Sequence, residues 1–281
     1  MIFSAEIERR TKLDPRLPHA YFMEEELESD VATIILTGRE CPFRCVMCDL
    51  WKNTLPGPTP KGAVVAQIDH ALARLPRAPW IKLYNAGSFF DRSALPISDH
   101  EAIAERVGPF ERIIVESHPK LIGADTFRFR DLLRGPRLEV AIGLETANPA
   151  VLPRLNKGSD LSDFERAARA LLREGVALRA FVLIQPPFEE PELAAAWAAR
   201  SAELAFDQGA ETVVLIPTRG GNPAMKPLEE AGLFRPPDRA TIDQAFERTL
   251  GLKRGRVLLD SWGLDLRAGG ENETRKSPEN A

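Results

Sequence analysis

The chain has 281 residues, of which 44% are hydrophobic, and its formal net charge is −4 at pH 7. That apolar content is enough to build one large α/β unit or two ordinary domains. No run of about 18 apolar residues occurs, so we expect no transmembrane helix and no membrane partner, and the acidic net charge provides no overall electrostatic attraction to nucleic acid.

The predicted elements alternate regularly after an irregular, acidic and proline-containing lead-in, which we expect over residues 1–30. Short β-branched apolar runs are predicted to be strands, and they lie at Val31–Leu36, Trp80–Tyr84, Arg112–Val115, Leu138–Gly143, Leu178–Ile184 and Thr212–Ile216. Longer amphipathic segments between them are predicted to be helices, and they lie at Lys61–Leu75, Ser98–Val107, Ala124–Leu133, Leu161–Glu174, Pro191–Gln208 and Asp238–Leu252.

This alternation predicts consecutive right-handed βαβ units, with a parallel sheet on the inside and helices on the outside. A seventh short apolar run, Arg256–Leu259, falls in a C-terminal extension over residues 221–267 that we expect to pack on this unit. Residues 268–281 lack core-forming side chains and are predicted to be a disordered tail.

All three cysteines of the chain, Cys41, Cys45 and Cys48, lie in one short segment directly after the first predicted strand. Three thiolates on one loop can hold three irons of a 4Fe-4S cluster and leave the fourth iron open to a small molecule. Structural zinc is the alternative, but it needs four ligands, and His19 and His70 are each 22 residues from the closest cysteine. Disulfide bonding would leave one thiol over, and the N-terminus has no apolar secretory leader, so we expect a cytoplasmic location.

Polar or glycine-containing segments follow each predicted strand. Because reactive groups in barrel-like parallel sheets collect at the carboxyl ends of the strands, we expect these segments to share one mouth. Glu116 and His118 follow the third strand and are candidates for handling protons or binding substrate, with local capping of the turn as the alternative. Gln185 follows the fifth strand and is a candidate contact to an adenine ring or to substrate.

Three features together resemble the radical S-adenosylmethionine (SAM) superfamily: the Cys41–Cys48 loop, the turn containing Gly87 after the second strand, and Gly143-Leu144-Glu145 at the end of the fourth. The resemblance implies a partial (β/α)6 TIM-like barrel of the radical SAM type over residues 31–220. It also implies two cofactors, a 4Fe-4S cluster held by the three cysteines and SAM bound at the open iron. The implied enzyme cleaves SAM reductively to a 5′-deoxyadenosyl radical, which takes a hydrogen atom from the substrate.

The same resemblance implies roles for further residues. The turn Asn85-Ala86-Gly87-Ser88 stands where the family has a Gly-Gly-Glu turn that receives the methionine amino group of SAM. Ser88 replaces the acid of that turn, whereas Gly87 still permits a close backbone approach. Glu145 lies where the family places a polar residue against the ribose hydroxyls, and Lys157 where related enzymes carry a basic residue for the methionine carboxylate. The alternatives are a surface glutamate and a solvated lysine.

A narrower resemblance lies in the segments flanking the cysteines, Leu36–Glu40 and Asp49–Asn53, and in Tyr84–Asp91 and Val115–Pro119. These segments are similar to the radical SAM subunit of archaeosine synthase and its bacterial relatives. That likeness implies C–N cleavage of a deazaguanine nucleoside in tRNA, after a partner enzyme has joined it to lysine, and an electron donor of the flavodoxin or ferredoxin type. A small-molecule or protein substrate, a structural zinc protein and a non-catalytic scaffold are the alternatives.

Overall fold

The computed structural model describes residues 13–26 and 29–260. The strands of these residues form one sheet in chain order, and they are β1 (Ala20–Glu26), β2 (Ser29–Leu36), β3 (Trp80–Asn85), β4 (Arg112–Ser117), β5 (Arg137–Glu145), β6 (Ala177–Ile184), β7 (Thr212–Pro217) and β8 (Arg256–Leu259). β1 pairs antiparallel with β2, and every later pair of neighbours is parallel. The sheet curls into a half-barrel.

Helices connect the successive parallel strands, and they are α1 (Ala63–Leu72), α2 (His100–Val107), α3 (Ala124–Leu132), α4 (Leu161–Arg173), α5 (Ala194–Asp207), α6 (Met225–Glu230) and α7 (Arg239–Leu250). Their apolar faces and one face of the sheet form the main core, in which Ile68 of α1 and Phe164 of α4 are buried together with Ile81 and Val140. Because alternate strand residues point to opposite faces, the other residues of each strand line the concave side of the half-barrel. In the part of the chain that the structure describes, no helix is long and apolar enough to cross a bilayer.

The predicted fold class is confirmed, because the six predicted strands correspond to β2–β7 and the seventh run forms β8. The expectation of an irregular lead-in is wrong for Ala20–Glu26, which forms β1. Its three consecutive glutamates have low strand propensity, but Glu24 and Glu26 are both paired with Lys82 of β3. The tertiary ion pairs therefore override the local preference. The predicted disordered tail lies outside the described residues.

A buried ionic network forms the floor of the concave side. Arg179, at 1% exposure, donates through Nη1 to Glu26 at 3.0 Å and through Nε to Glu139 at 2.6 Å. Lys82 donates to Glu24 at 2.9 Å. Glu139 and Arg179 both lie near the amino ends of their strands, so this network is at the opposite end of the half-barrel from the predicted mouth.

Candidate active site

The segment Cys41–Cys48, called the cysteine loop below, lies across the mouth of the half-barrel and is anchored on two sides. On the β5 side, Val46 N–H donates to the Leu155 carbonyl at 2.9 Å, and Asn156 Nδ2 donates to the Arg44 carbonyl at 2.8 Å. On the β7 side, Asn222 Nδ2 donates to the Cys48 carbonyl at 2.6 Å. A loop that starts at β2 is therefore fixed to segments that follow β5 and β7.

A third anchor of the loop is an aromatic stack between Phe43 and His118, whose ring centroids are 3.5 Å apart with 12° between the planes. Gly158, at φ 75°, lies against the Phe43 ring, and a Cβ at this glycine would come within 3.1 Å of it. The chain needs glycine here for both the backbone conformation and the close approach.

Both ring nitrogens of His118 are engaged. Nδ1 accepts from Lys120 N–H at 3.2 Å, so Nε2 carries the proton and donates to the Lys157 carbonyl at 3.1 Å. Burial and the nearby charge of Lys157 lower the pKa of His118 to about 3. Neutral His118 thus joins the cysteine loop, the end of β4 and the segment that carries Lys157. Proton transfer by His118 would require one of these bonds to break, and its catalytic role stays a prediction.

The three thiols are free and half-buried. Burial raises the pKa of Cys45 to about 12 and of Cys48 to about 11, and it also raises the pKa of Cys41. Among the described residues, no group of three or more His, Cys, Asp or Glu side chains is arranged around a single metal ion. A 4Fe-4S cube binds each thiolate on a different iron, so its ligands do not converge on one point.

Glu145 and Lys157 form a buried ion pair next to this loop. Lys157 Nζ is 2.6 Å from Glu145 Oε1, and the two residues are 6% and 8% exposed. Burial alone would lower the pKa of Lys157, but the Glu145 carboxylate outweighs burial and raises it. This burial excludes the alternatives of a surface glutamate and a solvated lysine.

The backbone next to the ion pair has two unusual positions, Glu145 and Gly143. Glu145 has φ 67°, in the left-handed region that residues with a side chain rarely adopt. A Cβ at Gly143 would collide with Glu145 Oε1 and Lys157 Nζ, so glycine leaves the space that the pair occupies. Strain and close approach of this kind are concentrated at ligand-binding sites.

The turn after β3 approaches the cysteine loop through its backbone. A Cβ at Gly87 would lie 3.2 Å from the Arg39 carbonyl, so the two backbones approach closely here. Ala86 and Gly87 are half-buried. Ser88 is fully buried, and its Oγ lies 2.7 Å from Ser117 Oγ. Ser88 therefore ties the ends of β3 and β4 together, which leaves the backbone of the turn as the group available to a ligand.

Asn85 and Glu116 meet at the ends of β3 and β4. Asn85 N–H donates to Glu116 Oε1 at 2.6 Å. Burial raises the pKa of Glu116 to about 8, against the opposing effect of that hydrogen bond. Asn85 Oδ1 is buried and accepts no hydrogen bond from the described residues. An acid whose pKa is raised and an amide oxygen without a hydrogen-bond partner among the described residues therefore lie side by side at the carboxyl ends of β3 and β4.

Gln185 lies at the end of β6 with φ 55° and 2% exposure. Its Nε2 donates to the Arg235 carbonyl at 2.9 Å. The amide nitrogen is therefore used within the protein, and the predicted contact of Gln185 to adenine or substrate stays a prediction.

Sequence reasoning missed Phe43, Asn156 and Asn222, which hold the cysteine loop. Asn156 has φ 52°, a conformation that asparagine tolerates better than most residues. No local signal marks the other two, because their partners lie far away in the sequence. The bond between Asn222 and Cys48 joins residues 174 positions apart.

The half-barrel is shared with solved radical SAM enzymes. Methylornithine synthase matches 85% of this chain and 74% of its own length, with a TM-score of 0.57 and 12% identity. The radical SAM methyltransferase TsrM from Kitasatospora setae, solved with its tryptophan substrate and a SAM analog, matches 72% of this chain at a TM-score of 0.50 and 17% identity. The match covers only 39% of TsrM. The fold is therefore that of the radical SAM enzymes.

In sequence, the chain is similar to archaeosine synthase subunit beta. The protein of that name from Methanosarcina acetivorans is 24% identical over 250 residues, which cover 83% of this chain and 72% of that protein. The one from Thermococcus kodakarensis is 29% identical over 157 residues, which cover 51% and 47%. No family model matches the chain. Both resemblances identified from the cysteine loop and the strand ends are confirmed.

Proposed function

We propose that this protein is a radical SAM enzyme that holds a 4Fe-4S cluster on Cys41, Cys45 and Cys48. The observation that carries this proposal is the position of the only three cysteines in the chain, on one loop across the mouth, beside the buried Glu145–Lys157 pair. When bound, the cluster supplies the electron that cleaves SAM to a 5′-deoxyadenosyl radical, which takes a hydrogen atom from the substrate.

The residues present fit such a cluster. All three thiols are free, and three thiolates leave one iron open. The contacts that hold the loop in place leave the three thiols unused. Asn222, for example, bonds to the backbone carbonyl of Cys48 and not to its sulfur. The unsatisfied Asn85 Oδ1, at the carboxyl end of β3, provides an acceptor for a bound ligand.

Three groups would orient SAM. The backbone of the Asn85–Ser88 turn receives the methionine amino group, Lys157 pairs with the methionine carboxylate, and Glu145 accepts from the ribose hydroxyls. Lys157 and Glu145 are bonded to each other in this structure. Lys157 and Glu145 would hold SAM from this buried ion pair, Lys157 through the methionine carboxylate and Glu145 through the ribose hydroxyls.

Glu116 is the proposed proton-exchanging group toward the substrate, because burial raises its pKa to about 8 and it lies at the carboxyl end of β4, bonded to the turn after β3. Of its two carboxyl oxygens, only Oε1 takes part in a hydrogen bond within the described residues. His118 acts as a positioning residue through its bonds to Lys120 and Lys157.

The proposed substrate is a deazaguanine nucleoside in tRNA that a partner enzyme has first joined to lysine. C–N cleavage of that adduct leaves an amidine on the base. This part rests on the relatives named archaeosine synthase subunit beta. A flavodoxin or ferredoxin in the cytoplasm would supply the electron.

The test is anaerobic reconstitution with iron and sulfide, followed by incubation with SAM and dithionite and quantification of 5′-deoxyadenosine by mass spectrometry. Cys45→Ala should abolish the product, and Val46→Ala, in the same loop, should not. Zinc in place of iron would support the structural-zinc alternative. A full cluster without 5′-deoxyadenosine, even in the presence of tRNA, would point to a non-catalytic scaffold.

A further inference from the structure

An arginine and a phenylalanine are stacked at the rim of the mouth. The guanidinium carbon of Arg154 lies 3.8 Å from the centroid of the Phe188 ring. Phe188 is half-buried and packs on a small apolar cluster that Met47 of the cysteine loop also contacts. Its N–H donates to the Leu233 carbonyl at 2.7 Å, and its φ of 74° is rare for an aromatic residue. The ring is therefore held in a strained but fixed position.

Arg154 differs from three other arginines of the loops at this end of the half-barrel, which are paired with carboxylates. Arg44 is paired with Glu40, Arg92 with Asp125 and Arg219 with Asp260. Arg154 is exposed, and no carboxylate of the described residues pairs with it. Its charge and one face of its guanidinium plane are thus available to a ligand.

The stack is adjacent to the candidate active site. Arg154 precedes Leu155, whose carbonyl accepts from Val46 of the cysteine loop, and it is three residues before Lys157. A group bound on Arg154 would therefore be a close neighbour of a substrate bound at the mouth.

The chemistry of the stack favours a flat, electron-rich ring linked to negative charge. Unpaired nucleobases stack on arginine planes and aromatic rings in RNA recognition, and the guanidinium also attracts the phosphates of the same strand. We propose that Arg154 and Phe188 form a stacking platform for an unpaired nucleobase that flanks the reacting nucleotide in an RNA loop. This inference rests on the tRNA substrate of the proposed function and adds the element that holds the neighbouring base.

The test uses the full-length protein and an RNA hairpin with a purine-rich single-stranded loop that contains 2-aminopurine. Fluorescence anisotropy measures affinity, and quenching of 2-aminopurine reports stacking. Arg154→Ala should weaken binding about tenfold and relieve the quenching. Arg154→Lys keeps the charge but loses the plane, so it should also relieve the quenching. The matched control is Arg200→Ala, which removes an arginine lying 5.5 Å from the Trp197 ring on α5 and should bind like the wild type.

Three outcomes would overturn the platform. Arg154→Ala could bind RNA as tightly as the wild type, Arg154→Lys could quench 2-aminopurine as the wild type does, or Arg200→Ala could lose as much RNA affinity as Arg154→Ala. If Arg154→Ala binds flavodoxin more weakly but binds RNA like the wild type, this rim is a protein-docking surface instead. If the wild type binds no RNA, both the platform and the tRNA substrate are overturned. Formation of 5′-deoxyadenosine without RNA is measured separately, so radical chemistry is judged independently of this platform.

Discussion

The imidazole of His118 lies parallel to the ring of Phe43, with 3.5 Å between the centroids. This contact connects the cysteine loop to the end of β4, and His118 also bonds to the Lys157 carbonyl. One side chain thus sets the separation between the proposed cluster ligands and the proposed SAM-binding lysine.

His118→Ala should lower both the iron content of the reconstituted protein and its affinity for SAM, because it releases the loop and Lys157 together. His118→Gln, which can still donate to the Lys157 carbonyl, should recover part of the SAM affinity. Iron and sulfide assays and equilibrium binding of SAM measure the two effects. Full cluster content and full SAM affinity in His118→Ala would exclude the positioning role.

Loss of Lys157 alone should be strongly destabilising. Lys157→Met leaves the Glu145 carboxylate buried without a partner, which costs about 3–5 kcal/mol. The double variant Glu145→Gln/Lys157→Met should regain most of that stability but should still bind SAM poorly. Chemical denaturation and SAM titration separate the two effects. Normal SAM binding by the double variant would remove both residues from the proposed site.

The buried ionic network around Arg179 should contribute to the stability of the fold and not to cofactor binding. Arg179→Met removes the buried cation that Glu26 and Glu139 share and leaves them with Lys82 and Arg112, so it should destabilise the protein by about 3 kcal/mol. The control Arg166→Met breaks a surface pair whose arginine side chain is 61% exposed, and it should cost about 1 kcal/mol or less. Denaturant unfolding measures both. Similar losses in the two variants would contradict the importance of burial.

Glu116 should make stability fall with rising pH. Its pKa is raised from 4.5 to about 8 in the folded protein, so the folded state binds more protons than the unfolded state between these values. This contribution is complete below pH 4.5 and is lost as the pH rises through about 8. Glu116→Gln should reduce that slope in the cluster-free, reduced protein.

The slope should not vanish in Glu116→Gln, because burial also raises the pKa of Glu189 to about 8. Glu189→Gln is therefore a second variant that should reduce the slope, and the double variant should reduce it further. Unfolding free energies measured at several pH values test this prediction. An unchanged slope in Glu116→Gln would mean that its carboxyl is ionised in the folded protein.

The strands were predictable because each carries a short apolar run rich in β-branched residues, whose alternate side chains pack in the core. β1 was not predictable, since the ion pairs of Glu24 and Glu26 are made with Lys82 and Arg179, which lie far away in the sequence. In the site, the cysteine spacing pointed to a metal cluster, and the family resemblance pointed to Glu145 and Lys157. Their mutual pairing was not predictable, because it depends on the space that Gly143 leaves in the folded chain.

Electron paramagnetic resonance of the dithionite-reduced, anaerobically reconstituted protein, before and after addition of SAM, tests directly whether the three cysteines hold a cluster with an open iron. We expect about four irons and four sulfides per chain and a cluster signal that shifts when SAM binds the open iron. Cys41→Ala, Cys45→Ala and Cys48→Ala should each lose that signal. A full cluster whose signal does not change with SAM would exclude binding of SAM at an open iron, and a protein that takes up zinc and no iron would exclude the cluster itself.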